Sequence, residues 1–361
     1  MTPANRLHAM GQSLWLDNIT RELLTSGTLK RYLDTWSVTG LTSNPSIFDK
    51  AIRGSTDYDA DIRRKVAQGR RGEALFFDMA VDDLRRAADL FAPVFERTHG
   101  VDGWVSLEVS PLLAFDTQRT LASAKELHAL AERPNLFIKI PGTAQGVPAI
   151  EEAIFAGVPI NVTLLFSTAQ YLASAEAWLR GIERRIDAGL SAHVPSVASL
   201  FVSRWDVAVA TQVDAPLHNR LGIAMARQCY REYNRLLASP RWRRAMNAGA
   251  PVQRLLMAST GTKDKNAPDT LYVEALAAPL TINTIPEATL KALVDHGQIG
   301  AVIPDDGGNC ESELKAFRDA GVNIDALAAR LQKEGTDAFV ESWKELLQVI
   351  EARSTELAVK A

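Results

Sequence analysis

The stretch "NLFIKIPGTAQGVPAIEEAIFAG", Asn135 to Gly157, decides the fold, because it holds a strand and a helix in immediate succession. Leu136 to Gly142 form a short apolar run that reads as a buried strand. The following segment has Pro148 near its start and Gly157 just past its end, the asymmetry expected of a helix. A strand followed at once by a helix is the unit of right-handed parallel crossovers. The same strand carries an anomaly. Lys139 stands among Phe137, Ile138 and Ile140, yet lysines are almost never fully buried without a partner, and a stranded ammonium is expensive in an apolar interior.

Outward from this stretch the pattern repeats. Residues 14–19, 38–44, 103–110, 136–142, 159–166, 197–203, 254–260 and 280–285 read as strands, separated by segments with helical periodicity. Phe77, Val81, Leu84, Ala88 and Phe91 step by four and three along one helix face. Ser167 is placed to cap the helix that begins "STAQYLASAEAW". Eight such units predict an α/β protein, a single (β/α)8 TIM barrel occupying residues 1–361. Additional C-terminal helices follow from about residue 308, with "DALAARLQKEG" and "DAFVESWKELLQVIEARS" read as separate helices. The charged stretch from Arg53 to Glu73 reads as a solvated helical excursion after the second strand.

Composition narrows the function classes. A chain of 361 residues with 47% apolar and 23% charged residues is ordinary for a globular protein. A net charge of −3 argues against a general nucleic-acid binder. Two distant cysteines, Cys229 and Cys310, predict a reducing, cytoplasmic setting with no disulfide and no thiolate metal site. No signal-peptide core or 18-residue apolar window occurs, so neither secretion nor membrane spanning is expected. The six histidines form no metal-binding pattern, and no GxGxxG or P-loop is present. No metal and no cofactor is expected.

Strand parity gathers the polar groups that remain. Residues two apart share a face, which groups Lys139 with Phe137, Glu108 with Ser106, Asn161 with Thr163, and Ser199 with Phe201. Asp17 shares a face with Trp15, and Asn44 with Thr42. A convergent set from six strands, several near C-terminal ends, is hard to explain as core packing. Each member also has a plainer explanation. Lys139 could simply pair with a barrel carboxylate, with Asp17 or Glu108 as its counter-ion; Asn44, before Pro45, could be turn chemistry; and Asn161 and Thr163 could bond within the barrel. As a set they fit a chemical use. Apolar surroundings favour a neutral amine that attacks a carbonyl, while neighbouring carboxylates shuttle protons and favour the ammonium. The product is a Schiff base that needs no cofactor.

The segments "GLTSNPSIF", "SLEVSP", "FIKIPGTAQG", "NVTLLFS" and "SLFVSRWD", with "LLMAST" and "TINTIP" beyond them, resemble the ordered motifs of the transaldolase family. The resemblance implies transfer of a dihydroxyacetone unit from sedoheptulose 7-phosphate to glyceraldehyde 3-phosphate, giving erythrose 4-phosphate and fructose 6-phosphate. It implies Lys139 as the Schiff-base lysine and Asp17 as the base at carbon–carbon cleavage. Glu108 and Thr163 would hold the relay water. Asn44, Asn161 and Ser199 would bind donor hydroxyls beside an apolar Phe201, and Arg204 would bind the phosphate. The family's second phosphate ligand, an arginine after the seventh strand, is absent from "ASTGTKDKN"; Lys263 is the expected substitute, ahead of Lys265. The segment "LRGIERRIDAGLSAHVPS" resembles the longer bacterial-type branch. The expected partners are sugar phosphates, with no nucleic acid or membrane, and a homo-oligomer is left open. The alternatives are a class I aldolase releasing free dihydroxyacetone and a sugar-phosphate-binding barrel without chemistry.

Overall fold

The computed structural model describes residues 1–359. Eight parallel strands close into one barrel in sequence order. They are β1 (Ser13–Asp17), β2 (Val38–Thr42), β3 (Trp104–Glu108), β4 (Leu136–Pro141), β5 (Ile160–Leu165), β6 (Ser196–Phe201), β7 (Gln253–Ala258) and β8 (Ile282–Ile285). β8 pairs with β1, so the sheet has no free edge. Every expected strand is present, with ends that differ from expectation by at most two residues, and the architecture is the (β/α)8 barrel with added C-terminal helices.

The local signals act as their chemistry requires. The helix Gly146–Phe155 ends before Gly157, whose φ of +88° suits glycine without a Cβ penalty. Ser167 caps the helix Thr168–Asp187 reciprocally: its hydroxyl accepts from Gln170 N, and the Gln170 side chain accepts from Ser167 N.

Aromatic rings seal the lower lumen. Gly40 lets the Trp15 indole cross it, since a Cβ there would meet Trp15 Nε1 at 2.6 Å. Phe137 lies 6.2 Å from Trp15 and stacks on Trp104 at 4.0 Å. Below the rings, Asp102 accepts from Trp15 Nε1 at 2.8 Å and from the Ser13 hydroxyl, while Arg254 donates to Ser13 Oγ at 2.6 Å. A cavity of about 360 Å³ opens at this N-terminal face, and none of the site residues singled out in the sequence lines it. Whatever those residues do happens at the other end.

The excursion after β2 is helical, over Pro45–Gly54, Asp59–Ala67 and Gly72–Arg97. Arg53, Arg63, Arg64, Arg70 and Arg71 face solvent, but the inner face does not. Buried Arg21 binds Asp61 at 2.7 Å and Asp83 at 3.0 Å and lies over the Tyr58 ring, while buried Lys65 pairs with Asp82. The solvated reading therefore holds for one face only.

The C-terminal region differs from expectation in its connectivity. After the helix Cys310–Asp319, the two segments read as separate helices form one helix, Ile324–Val359, which runs straight through Gly335. An internal glycine costs about 1 kcal/mol relative to alanine. Phe339, Trp343, Leu346 and Ile350, all buried, continue one face beyond it. Each large apolar side chain buried contributes about 1.5–3 kcal/mol, so packing outweighs the glycine. Trp343 meets Phe76 edge-on at 4.9 Å, and Arg353 grips Asp59 through two bonds of 2.7 and 3.0 Å.

Candidate active site

The site assembles where the strands end. In the β3–β4 register Glu108 stands opposite Lys139, and in the β4–β5 register Lys139 stands opposite Asn161. Lys139 Nζ lies 3.3 Å from Glu108 Oε2, with side chains 7% and 4% exposed, and donates to Ser43 O at 2.9 Å. The buried lysine thus has its partner. Burial pushes the Glu108 carboxyl up, Lys139 pulls it back, and the charge of Asp17 adds to the upward push.

Asp17 ends β1 and is partly accessible. Burial raises its carboxyl, while Lys139, a bond from Thr42 and the charge of Lys263 oppose the rise. Thr42 donates to Asp17 Oδ1 at 2.8 Å and lies 2.6 Å from Thr284 Oγ1. Because Thr42 spends its hydrogen on Asp17, Thr284 donates to Thr42. This hydroxyl chain is not legible in the sequence, where Thr42 reads only as sharing a face with Asn44 and Thr284 as one polar residue within "TINTI".

Ser199 donates to Asn161 Oδ1 at 2.7 Å, and Asn161 Nδ2 donates to Ser106 Oγ at 3.1 Å. Among the described residues Glu108 has no donor beyond Lys139 and the hydroxyl of Thr163 has no hydrogen-bond partner, although both are buried. Buried polar groups are rarely left this way, and these belong to adjoining strands around Lys139. Asn44 caps the helix Pro45–Gly54 by accepting from Ile47 N at 3.1 Å. Its turn chemistry is real, and its amide nitrogen is not consumed by the cap.

Phe201 ends β6 and packs against Phe166 at 5.4 Å. Arg204 starts the next helix, Ser203–Val209, and its guanidinium lies 5.4 Å from the Phe201 ring centre. Among the described residues it makes no hydrogen bond or ion pair. Burial lowers its hold on its proton and nearby Glu334 opposes that, but an arginine remains a cation. The β6 and β7 ends are tied by Ser203 N to Ser259 O at 3.0 Å. Lys263 beyond β7 is exposed, and it lines a cleft of about 420 Å³ with Asp206, His218 and Tyr272. The charge of Lys263 is felt at Asp17; Lys265 is exposed and absent from that cleft. Among the described residues no three His, Cys, Asp or Glu side chains gather in a metal-binding arrangement, and no helix is long and apolar enough to cross a membrane.

Barrel and site together define a (β/α)8-barrel enzyme whose polar groups converge at the C-terminal ends of its strands. The chain belongs to the transaldolase/fructose-6-phosphate aldolase family, whose model matches residues 14–350. It is 42% identical to a transaldolase of Renibacterium salmoninarum over 99% of this chain and 98% of that one. It is 44% identical to a transaldolase of Thermobifida fusca over 96% of each chain. A protein of Nostoc punctiforme named transaldolase 2 is 39% identical over 94% of each.

Proposed function

We propose that the protein is a Schiff-base transaldolase working with Lys139 at the mouth of its barrel. The amine of Lys139 adds to the ketose carbonyl and expels water to form an imine. Asp17 then takes the proton from the hydroxyl beside the bond that breaks; the aldose leaves, and the imine receives the electron pair as an enamine. The enamine adds to an incoming aldehyde, and water releases the new ketose. The substrates are sedoheptulose 7-phosphate and glyceraldehyde 3-phosphate, the products erythrose 4-phosphate and fructose 6-phosphate, in a cytoplasmic pentose phosphate pathway.

One observation carries this assignment: a lysine buried beside a carboxylate that has no other donor among the described residues, with the hydroxyl of Thr163 unpartnered close by. Such a group can hold and move a water during imine formation and loss. Asn44, Asn161 and Ser199 bind the donor hydroxyls, exchanging the bond between Ser199 and Asn161 for bonds to sugar. Phe201 keeps its side of the pocket apolar, and Arg204 takes the phosphate with help from Lys263. Two buried free cysteines agree with a reducing compartment.

The test is borohydride reduction with fructose 6-phosphate present, followed by peptide mapping. Covalent label is expected on Lys139 alone and is absent in Lys139→Ala. Label on another lysine, or none, overturns the assignment.

A further inference from the structure

We infer that Gln332 and Gly335, on the long C-terminal helix, are positioning residues for Thr163 and Arg204; this rests on the Schiff-base reading above. Gln332 Nε2 donates to Gly142 O at 2.9 Å and to Leu164 O at 3.0 Å, so both hydrogens of one amide are spent on the ends of β4 and β5. Gly142 N in turn donates to Thr163 O at 2.8 Å. The end of the lysine's own strand and the end of its neighbour β5 are thus locked by three bonds, two of them from outside the barrel.

The lock falls where the backbone needs one. Leu164 has φ +59°, a left-handed conformation rare for a branched side chain. The β5–β6 register shifts between Val162 and Leu165, which places a bulge at Thr163 and Leu164. Bulges re-aim side chains and recur beside active sites. Here the side chain preceding the left-handed residue is Thr163, whose buried hydroxyl has no hydrogen-bond partner among the described residues. Strain of this kind persists only where surroundings enforce it, and Gln332 supplies the enforcement.

One turn further along, Gly335 approaches the same bulge. A Cβ there would meet Leu164 Cδ2 at 3.0 Å and Arg204 Nη1 at 3.1 Å. The glycine costs the helix stability, yet it admits the Arg204 guanidinium, which rests over Phe201 without a hydrogen bond or ion pair among the described residues. The obstructed atoms are the far ends of flexible side chains. A methyl group would therefore crowd both side chains, nudging the Arg204 guanidinium out of place while leaving the helix intact.

The experiment compares wild type, Gln332→Met and Gly335→Ala. Methionine keeps the length and helix propensity of glutamine without its donors. Imine formation is timed by rapid mixing with fructose 6-phosphate and borohydride, normalised to the end-point label. Gln332→Met is expected to form imine roughly tenfold to a hundredfold more slowly, the scale of a small misplacement, with KM little changed. Gly335→Ala is expected to raise KM for phosphorylated acceptors about threefold, a charged contact weakened rather than lost, with KM for unphosphorylated ones unmoved. A purely structural role would lower the labelled fraction and leave the normalised rate and the KM ratio alone. If wild type takes no label, the Schiff-base assignment fails. If wild type is labelled but Gln332→Met matches its rate, the lock is overturned. Should Gln332→Met not fold, Gly335→Ala decides, and an unchanged KM ratio there overturns the inference.

Discussion

At the scale of single residues, the two carboxylates near Lys139 are distinguished by their neighbours. Asp17 is held by Thr42 and reachable from solvent, whereas Glu108 is buried with no donor beyond the lysine. Asp17→Asn is expected to accumulate imine without turning over, and Glu108→Gln to slow imine formation itself. Rapid-mixing trapping separates the two; equal wild-type rates in both variants would erase the division of labour. Because Asp17 raises the Glu108 carboxyl through its charge, Asp17→Asn should also shift the acidic limb of imine formation to lower pH. Phosphate recognition has to be local in a chain of net charge −3. Each charge-assisted contact contributes about 1.5–3 kcal/mol, so Arg204→Ala and Lys263→Ala should each cut the preference for phosphorylated over unphosphorylated acceptors roughly tenfold to a hundredfold in kcat/KM. A Lys263→Ala enzyme with an unchanged preference would remove Lys263 from the site.

At the scale of elements, the joint between the helices Ser203–Val209 and Leu221–Ala238 is pH-sensitive. The Asp206 carboxylate accepts from Leu221 N at 2.8 Å, Gly222 N at 3.2 Å and Tyr272 Oη at 2.9 Å. Burial nevertheless pushes its carboxyl up to about 6. The folded protein therefore holds this proton more tightly than the unfolded chain, where aspartate titrates near 3.9. The resulting stabilisation is complete below about pH 4 and is lost as pH rises through about 6, on the order of 3 kcal/mol in all. Asp206→Asn cannot ionise, so urea unfolding should show its stability difference from wild type changing across that window. A constant difference would mean Asp206 titrates in the ordinary range. Elements were also what the sequence showed best. Strand and helix periods are local, so parity paired Lys139 with Phe137, Glu108 with Ser106, Asn161 with Thr163 and Ser199 with Phe201, and the barrel register then set Lys139 between Glu108 and Asn161. The lock at Gln332 was invisible, because its acceptors lie 190 and 168 residues away and are backbone carbonyls. Gly335 misled for a related reason: a glycine between two helical patterns looks like a break unless the buried face beyond it is weighed.

At the scale of the whole molecule, the barrel and its C-terminal helix are proposed to form one domain. The helix contacts β4 and β5 through Gln332, Phe76 and Phe77 through Trp343, and Asp59 through Arg353. Urea transitions followed by tryptophan fluorescence and by far-UV circular dichroism should superimpose, and an earlier loss of helical signal would show the helix to be a separable unit. The aromatic layer of Trp15, Trp104 and Phe137 has a consequence for traffic. The three rings and the Asp102 cluster beneath them fill the N-terminal end of the barrel among the described residues, which leaves the C-terminal mouth as the way to Lys139. Under the proposed Schiff-base mechanism, the departing half of the donor would leave by the opening through which the acceptor arrives, so the two would take turns at Lys139, with the enzyme loaded between them.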